Sequence, residues 1–411
     1  MKKSLLAMAA LMGVATLPAH AWRVNIDKDT FADITFATQV MGRNEGKRTD
    51  ARTDHSATNF YVNLATIAAS GQVNKLVYFN INAETIRPGF RESFIVRDAF
   101  IGMKFAEEFR VQAGAMRVPF SRIALTSSYN YLIPTQAHSD VYRGLQIEPI
   151  RVQGLLNDSS RDAGIVVWGN VAGGMLKYYL GVSDGRYDRR GGFFTFAGNN
   201  HTKDSLAYTI RLQFTPTMLG FKPETGYSLA DTYLGRRNVH NIGVGYRVVG
   251  AETTGRNNNY SKDAKMWTVD MIYEQKFGNL IPNLQVGYID AKDVAYHVTG
   301  NNVRYGKATQ IYAQGQLLYD QMVGFGKPAL AIRFEQNKNK DLSTFNTRTG
   351  QTTVSTREPK NTRVGVFVNY YIKGHDAMIS FGVDTVNRNR DSKGTTGKNF
   401  TDYTLYLQTR F

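Results

Sequence analysis

Residues 206–214 read Leu-Ala-Tyr-Thr-Ile-Arg-Leu-Gln-Phe. Leu206, Tyr208, Ile210, Leu212 and Phe214 share one parity; Ala207, Thr209, Arg211 and Gln213 share the other. Side chains along a strand point alternately to its two faces, so this stretch is a strand with one apolar and one wet face. The same alternation recurs down the chain. Leu176, Tyr178, Leu180 and Val182 alternate with Lys177, Tyr179, Gly181 and Ser183. Trp267, Val269, Met271 and Tyr273 alternate with Thr268, Asp270, Ile272 and Glu274. Val364, Val366, Val368, Tyr370 and Ile372 alternate with Arg363, Gly365, Phe367, Asn369 and Tyr371. Each segment is close to the roughly 9–11 residues that a tilted strand needs to cross a bilayer.

The connections separate a membrane barrel from a soluble sheet. Short ones fall at Ser70-Gly71, Ala106 to Glu108, Val171 to Gly173 and Lys373 to His375; long polar ones fall at 43–57, 185–204, 338–360 and 388–399. Short connections at one end and long ones at the other are the layout of an outer-membrane barrel, with turns in the periplasm and loops outside. A soluble sandwich has no reason to alternate loop length in this way.

The N-terminus agrees. Basic Met1-Lys2-Lys3, an apolar run from Leu5 to Leu17 and Ala19-His20-Ala21 make the three parts of a secretory signal peptide over 1–21, with cleavage after Ala21. The run falls short of the roughly 20 apolar residues of a membrane helix. No linker, low-complexity tract or charge block interrupts 22–411, which reads as one all-β domain. At the other end Tyr403, Leu405 and Leu407 alternate toward Phe411, and an aromatic closing such a strand resembles the signal recognised by the outer-membrane assembly machinery. The expectation is a transmembrane antiparallel β-barrel in a bacterial outer membrane. Single-chain bacterial barrels have even strand numbers. Glu224 to Tyr233 and Val239 to Val249 both look like strands across a short polar join, which breaks parity between 216 and 250. Either one of them is surplus or a strand nearby is unread. Sixteen strands is the expectation and eighteen the alternative.

Composition narrows the chemistry. The 411 residues include 23 Tyr, 23 Phe and 38 Gly but no Cys, and carry a formal charge of +16. Without cysteine there is no disulfide, thiolate metal site or cysteine nucleophile. The seven histidines show no paired metal-ligand spacing. Gly181 to Gly185 formally matches G-x-S-x-G, but a polar loop follows where a nucleophile elbow needs a helix. No glycine loop cradles a phosphate. The basic residues are spread rather than gathered, which with an export signal argues against nucleic acid. No catalytic residue, cofactor or metal is therefore expected.

One stretch carries more than pattern. Arg97-Asp98-Ala99-Phe100-Ile101-Gly102, Val111 to Gly114, Arg117-Val118-Pro119-Phe120-Ser121-Arg122 and Leu125-Thr126-Ser127-Ser128 follow one another in order. Gly181-Val182-Ser183-Asp184-Gly185 ends a later strand. This order resembles the phosphate-selective porin O and P family. The resemblance implies a trimeric, 16-stranded outer-membrane porin that passes small hydrophilic solutes, with a long third loop folded into the pore. Here that loop is 119–161. The implied partners are outer-membrane lipid and lipopolysaccharide, small anionic or neutral solutes, and two further copies of the chain.

The alternation also assigns an inward face. By that register Lys104, Arg110, Lys177, Arg211, Arg333 and Arg363 point into the lumen, and loop residues Arg122, Arg143 and Arg151 can join them. Rings of Arg and Lys favour anions, and the net charge has the same sign. Asp98, Asp270, Glu274, Glu335 and Asp384 fall on the same face. Opposed rows of acid and base give a transverse field without strong selectivity, so a weak preference for anions such as phosphate or another oxyanion is the expectation. Two other readings are weaker. A sheath around an electron-carrying partner needs a wider barrel. An outer-membrane enzyme such as a lipid hydrolase needs a Ser-His-acid set on the lipid face, where nearly every residue is apolar.

Overall fold

A computed structural model describes residues 22–46, 57–85, 94–134, 161–184, 206–250, 263–299, 302–346, 348–390 and 398–411. The signal segment 1–21 and Arg143 and Arg151 lie outside the described residues.

The strands are β1 (Trp22–Asn25), β2 (Phe31–Glu45), β3 (Ala57–Gln72), β4 (Val77–Thr85), β5 (Phe94–Lys104), β6 (Arg110–Arg117), β7 (Arg161–Val171), β8 (Leu176–Ser183) and β9 (Ala207–Phe214). They continue as β10 (Val239–Val249), β11 (Ala264–Glu274), β12 (Leu280–Thr299), β13 (Asn302–Tyr319), β14 (Lys327–Asn346), β15 (Thr352–Val354), β16 (Lys360–Lys373), β17 (Ala377–Arg388) and β18 (Phe400–Arg410). Each of β2 to β14 pairs antiparallel with the next, β14 pairs with β16, and β18 returns to β2. That ring holds sixteen strands and leaves no open edge. The short β15 extends the β14 edge outside it. The short β1 pairs with Phe31–Ile34 of β2, just below the point where β18 ends.

The seam is closed from both sides. Phe36 and Phe411 exchange backbone hydrogen bonds of 2.8 and 2.9 Å and stack at 5.5 Å. Arg43 of β2 donates to Asp402 of β18 at 2.6 Å on the inner side.

Alternation maps directly onto the two faces. Along β9 the apolar parity is exposed outward, while Ala207, Thr209, Arg211 and Gln213 are buried inward. Trp267, Val269, Leu330, Ile332, Val366, Val368 and Phe381 belong to the same outer belt. An apolar belt that is costly in water is the favourable surface in hydrocarbon, and the closed ring leaves no strand edge within it unpaired.

Two expectations need correction. Glu224 to Tyr233 is not a strand; the surplus strand of the parity conflict is a connection folded into the barrel. The region 338–360, read as loop, is largely strand, because β12 to β14 run 18–20 residues, longer than the roughly 9–11 that cross a bilayer.

Glycine at position 243 in β10 is required by what crosses it. An added Cβ would lie 2.1 Å from Arg211 Nη2 and 2.7 Å from Asp270 Oδ1. The ion pair between β9 and β11 thus passes over a strand that must carry no side chain there. Gly243→Val is expected to pry the pair apart and destabilise the barrel by about 1–3 kcal/mol, the usual range for overpacking. A lower temperature for the loss of the compact gel band would register it; an unchanged temperature would show that the pair tolerates displacement.

Candidate functional site: a lumen crossed by an internal bar

Two connections turn inward. The first follows β6 and spans the described residues Val118–Pro134. It contains one helical turn, α1 (Arg122–Leu125), whose N-cap Ser121 accepts a hydrogen bond from the Ala124 amide at 3.2 Å. The second is 215–238, between β9 and β10. The two run side by side, with Leu229 N donating to Leu125 O (3.0 Å), Ser127 N to Leu229 O (3.2 Å) and Asp231 N to Asn130 O (3.1 Å). Arg122 locks them: both its terminal nitrogens donate to Glu224 at 2.8 Å, and neither side chain is more than 1% exposed. Arg122 also donates to the Ala230 carbonyl.

Together they form a bar across the barrel. At one end the Arg122 amide donates to Asp270 of β11 at 2.9 Å. At the other, Tyr129 OH donates to Thr66 of β3 at 2.7 Å. In a ring of sixteen, β3 and β11 face each other across the lumen. Asn369 of β16 holds the Leu132 carbonyl at 2.8 Å and Gln314 of β13 donates to Asp231 at 3.0 Å. Glu274 of β11 accepts from Thr232 Oγ1 (2.7 Å) and from the Tyr233 and Gly235 amides. Backbone groups that would be orphaned off the ladder are thereby satisfied by wall side chains.

The bar also reaches the turn-side rim. His375, in the turn between β16 and β17, is buried with Nε2 3.1 Å from the Thr232 carbonyl, so Nε2 carries the proton and donates. Burial pushes its pKa down to about 4. A histidine with a lowered folded pKa stabilises fully above its unfolded value, and that stability is lost as pH falls from about 6.5 toward 4. Acidification from pH 7 to 4.5 is expected to lower the unfolding temperature, with His375→Asn removing that part of the dependence. Identical pH profiles for the two proteins would refute this.

The expected basic residues can now be located. Arg211 donates to Asp270 at 2.7 and 2.6 Å. Arg333 and Arg363 share Asp384, at 2.8 and 2.6 Å. Arg122 meets Glu224 as above. All four are within 2% of full burial. Lys177 is equally buried, donating to the Glu224 and Gly226 carbonyls and lying 5.2 Å from the Tyr179 ring centre. Arg110 stacks on Trp168 at 4.6 Å and pairs with Glu107, which also holds Lys104 at the turn-side rim. The inward arginines thus meet acids and carbonyls rather than open water. Sequence reasoning placed both charges on the inner face but missed Glu224 and Asp231, since these belong to the connection read as a strand.

Exposure is distributed unevenly around the lumen. From β9 round to β18, nearly every described inward side chain away from the strand ends is buried, with Asn339 of β14 half-buried. On β3 to β5 the inward residues Ala68, Ser70, Tyr78, Asn80, Asn82 and Phe100 remain half-exposed. A small cavity also lies between Met116, Asp162, Gly181 and Arg247.

The phosphate-selective porin O and P family matches residues 43–381. The chain belongs to that family. An uncharacterised protein of Aquifex aeolicus (strain VF5) is 25% identical over 320 residues, covering 73% of this chain and 65% of that protein, so the match takes in just under two thirds of the relative. Solved structures share the fold at low identity. Pseudomonas putida OprB has a TM-score of 0.59 at 10% identity, over 94% of this chain and 95% of that one. The outer membrane channel DcaP of Acinetobacter baumannii gives 0.56 at 10%, over 94% and 99%. An anion-selective porin from Comamonas acidovorans gives 0.53 at 10%, over 93% and 100%. Family and fold place this porin-family barrel in a bacterial outer membrane.

Proposed function

We propose that the protein is a passive outer-membrane channel for small hydrophilic solutes, working as a homotrimer among lipopolysaccharide and phospholipid. The observation that carries this reading is the strip of half-exposed inward residues beside the bar, in a closed sixteen-stranded wall. A weak anion preference follows from the formal charge, +16 for the whole chain and +14 (16 − 2) once Lys2 and Lys3 leave with residues 1–21, and accords with the anion-selective neighbour. Strong phosphate selection is not part of the proposal, because Arg211, Arg333 and Arg363 are already engaged by Asp270 and Asp384. The protein is read as a channel rather than an enzyme, and residues 1–21 as a signal peptide removed to leave Trp22 first.

Planar-bilayer recording of the purified protein tests the central claim. Discrete conductance steps, and a reversal potential in a salt gradient displaced modestly toward the anion potential, are expected. Absence of steps would overturn the channel reading, and cation selectivity would overturn the anion preference. N-terminal sequencing of the membrane-inserted chain should begin at Trp22.

A further inference from the structure

We propose that the permeation path is an uncharged cleft between the bar and the wall formed by β3, β4 and β5. This rests on the channel reading and adds where the solute passes and what it touches.

Register makes the strip continuous. Ser70, Asn80 and Phe100 form one row across β3, β4 and β5; Ala68, Asn82 and Asp98 form the next. Tyr78 lies flat against the wall, its ring over Gly102, where an added Cβ would sit 2.0 Å from the ring. That flattening keeps a bulky side chain from filling the space. Ser127 and Ser128 of the bar are half-buried next to Tyr129, which reaches Thr66 of β3, and Tyr227 and Phe100 pack against the core of Leu125 and Leu229. Ser, Asn, Tyr and Phe dominate these surfaces.

The one charge in these rows, Asp98, is buried and paired, and the others lie toward the ends. Asp98 is held by Arg161 at 2.7 and 2.9 Å at the loop-side end, with Glu84 3.7 Å from Arg161 and 3.2 Å from Arg97. Lys104, Glu107 and Arg110 pair at the turn-side rim. A solute therefore meets paired charges at either end and neutral hydroxyls, amides and aromatic edges between them. Such a path sieves by size and hydrogen bonding, and accepts neutral polar solutes as well as anions. An uncharged constriction with low intrinsic bias is also one where a single introduced charge dominates the local field.

The absence of native cysteine makes the test clean. Asn80→Cys and Ser70→Cys are placed in bilayers and exposed to water-soluble methanethiosulfonate reagents, one carrying a cation and one an anion. Thr404→Cys, inward on β18 but 1% exposed, is the control. Both strip variants are expected to lose about half or more of their conductance on labelling, with the cationic adduct moving the reversal potential toward anions and the anionic adduct toward cations. The control should not respond. Conducting channels whose Asn80→Cys and Ser70→Cys forms ignore both reagents, or a responsive Thr404→Cys, would overturn the cleft while leaving the channel intact. No conductance from the unmodified protein would instead defeat the channel reading.

Discussion

Arg122→Ala is expected to produce the largest functional change of any single substitution in this protein: a channel of higher conductance and lower stability. Arg122 is the pin between the two inward connections, with two hydrogen bonds to Glu224 and one to the Ala230 carbonyl. Removing it strands the Glu224 carboxylate beside Asn241 and Gln213 with no guanidinium to offset its desolvation. Losing one partner of a fully buried pair typically costs about 3–5 kcal/mol. The barrel wall does not depend on Arg122, so the strain is relieved where the structure is least tied, by the bar leaving the lumen. Single-channel recording should show larger and noisier steps. The double substitution Arg122→Ala with Glu224→Ala should recover stability, because it leaves no orphaned charge, yet keep the larger steps. Steps of unchanged size in both variants would show that other contacts hold the bar in place.

Asp384→Ala should instead damage the wall. Asp384 of β17 accepts from Arg333 of β14 and Arg363 of β16, reaching Arg333 across Gly365. An added Cβ at Gly365 would lie 2.3 Å from an Asp384 oxygen, the same provision as at Gly243. Two guanidiniums lose their shared carboxylate in the variant, while Glu335 remains at 3.9 and 4.0 Å. The expected loss is again about 3–5 kcal/mol. It should appear as a lower urea midpoint and a smaller folded yield, while the selectivity of the channels that do form is unchanged. Wild-type stability would mean that Glu335 suffices for both arginines.

Much of this was legible in the chain, for identifiable reasons. Parity along 206–214 assigned both faces of β9, because lipid and lumen impose opposite polarities on successive residues. The requirement for an even strand count located the error near 216–250. It could not choose between Glu224–Tyr233 and Val239–Val249, which have similar length and both look like strands. The difference lies in burial: Leu229, Ala230, Asp231 and Thr232 are buried consecutively, as in a segment enclosed on all sides. Pairing was hidden for another reason. Arg333 and Asp384 are 51 residues apart and meet only through the stagger of β14, β16 and β17, which sequence spacing does not encode. Alternation therefore identified which charges face inward but not which of them remain available to a solute.

The Arg122–Glu224 tie has a consequence for the waters in which the protein can work. Mobile ions weaken contacts between exposed charges over a Debye length of about 10 Å at 0.1 M salt, but they reach sealed pairs far less. A bar fastened by an enclosed ion pair should hold its shape from dilute to concentrated brine. Conductance should then rise in step with the bathing electrolyte, without the break that marks a constriction coming loose.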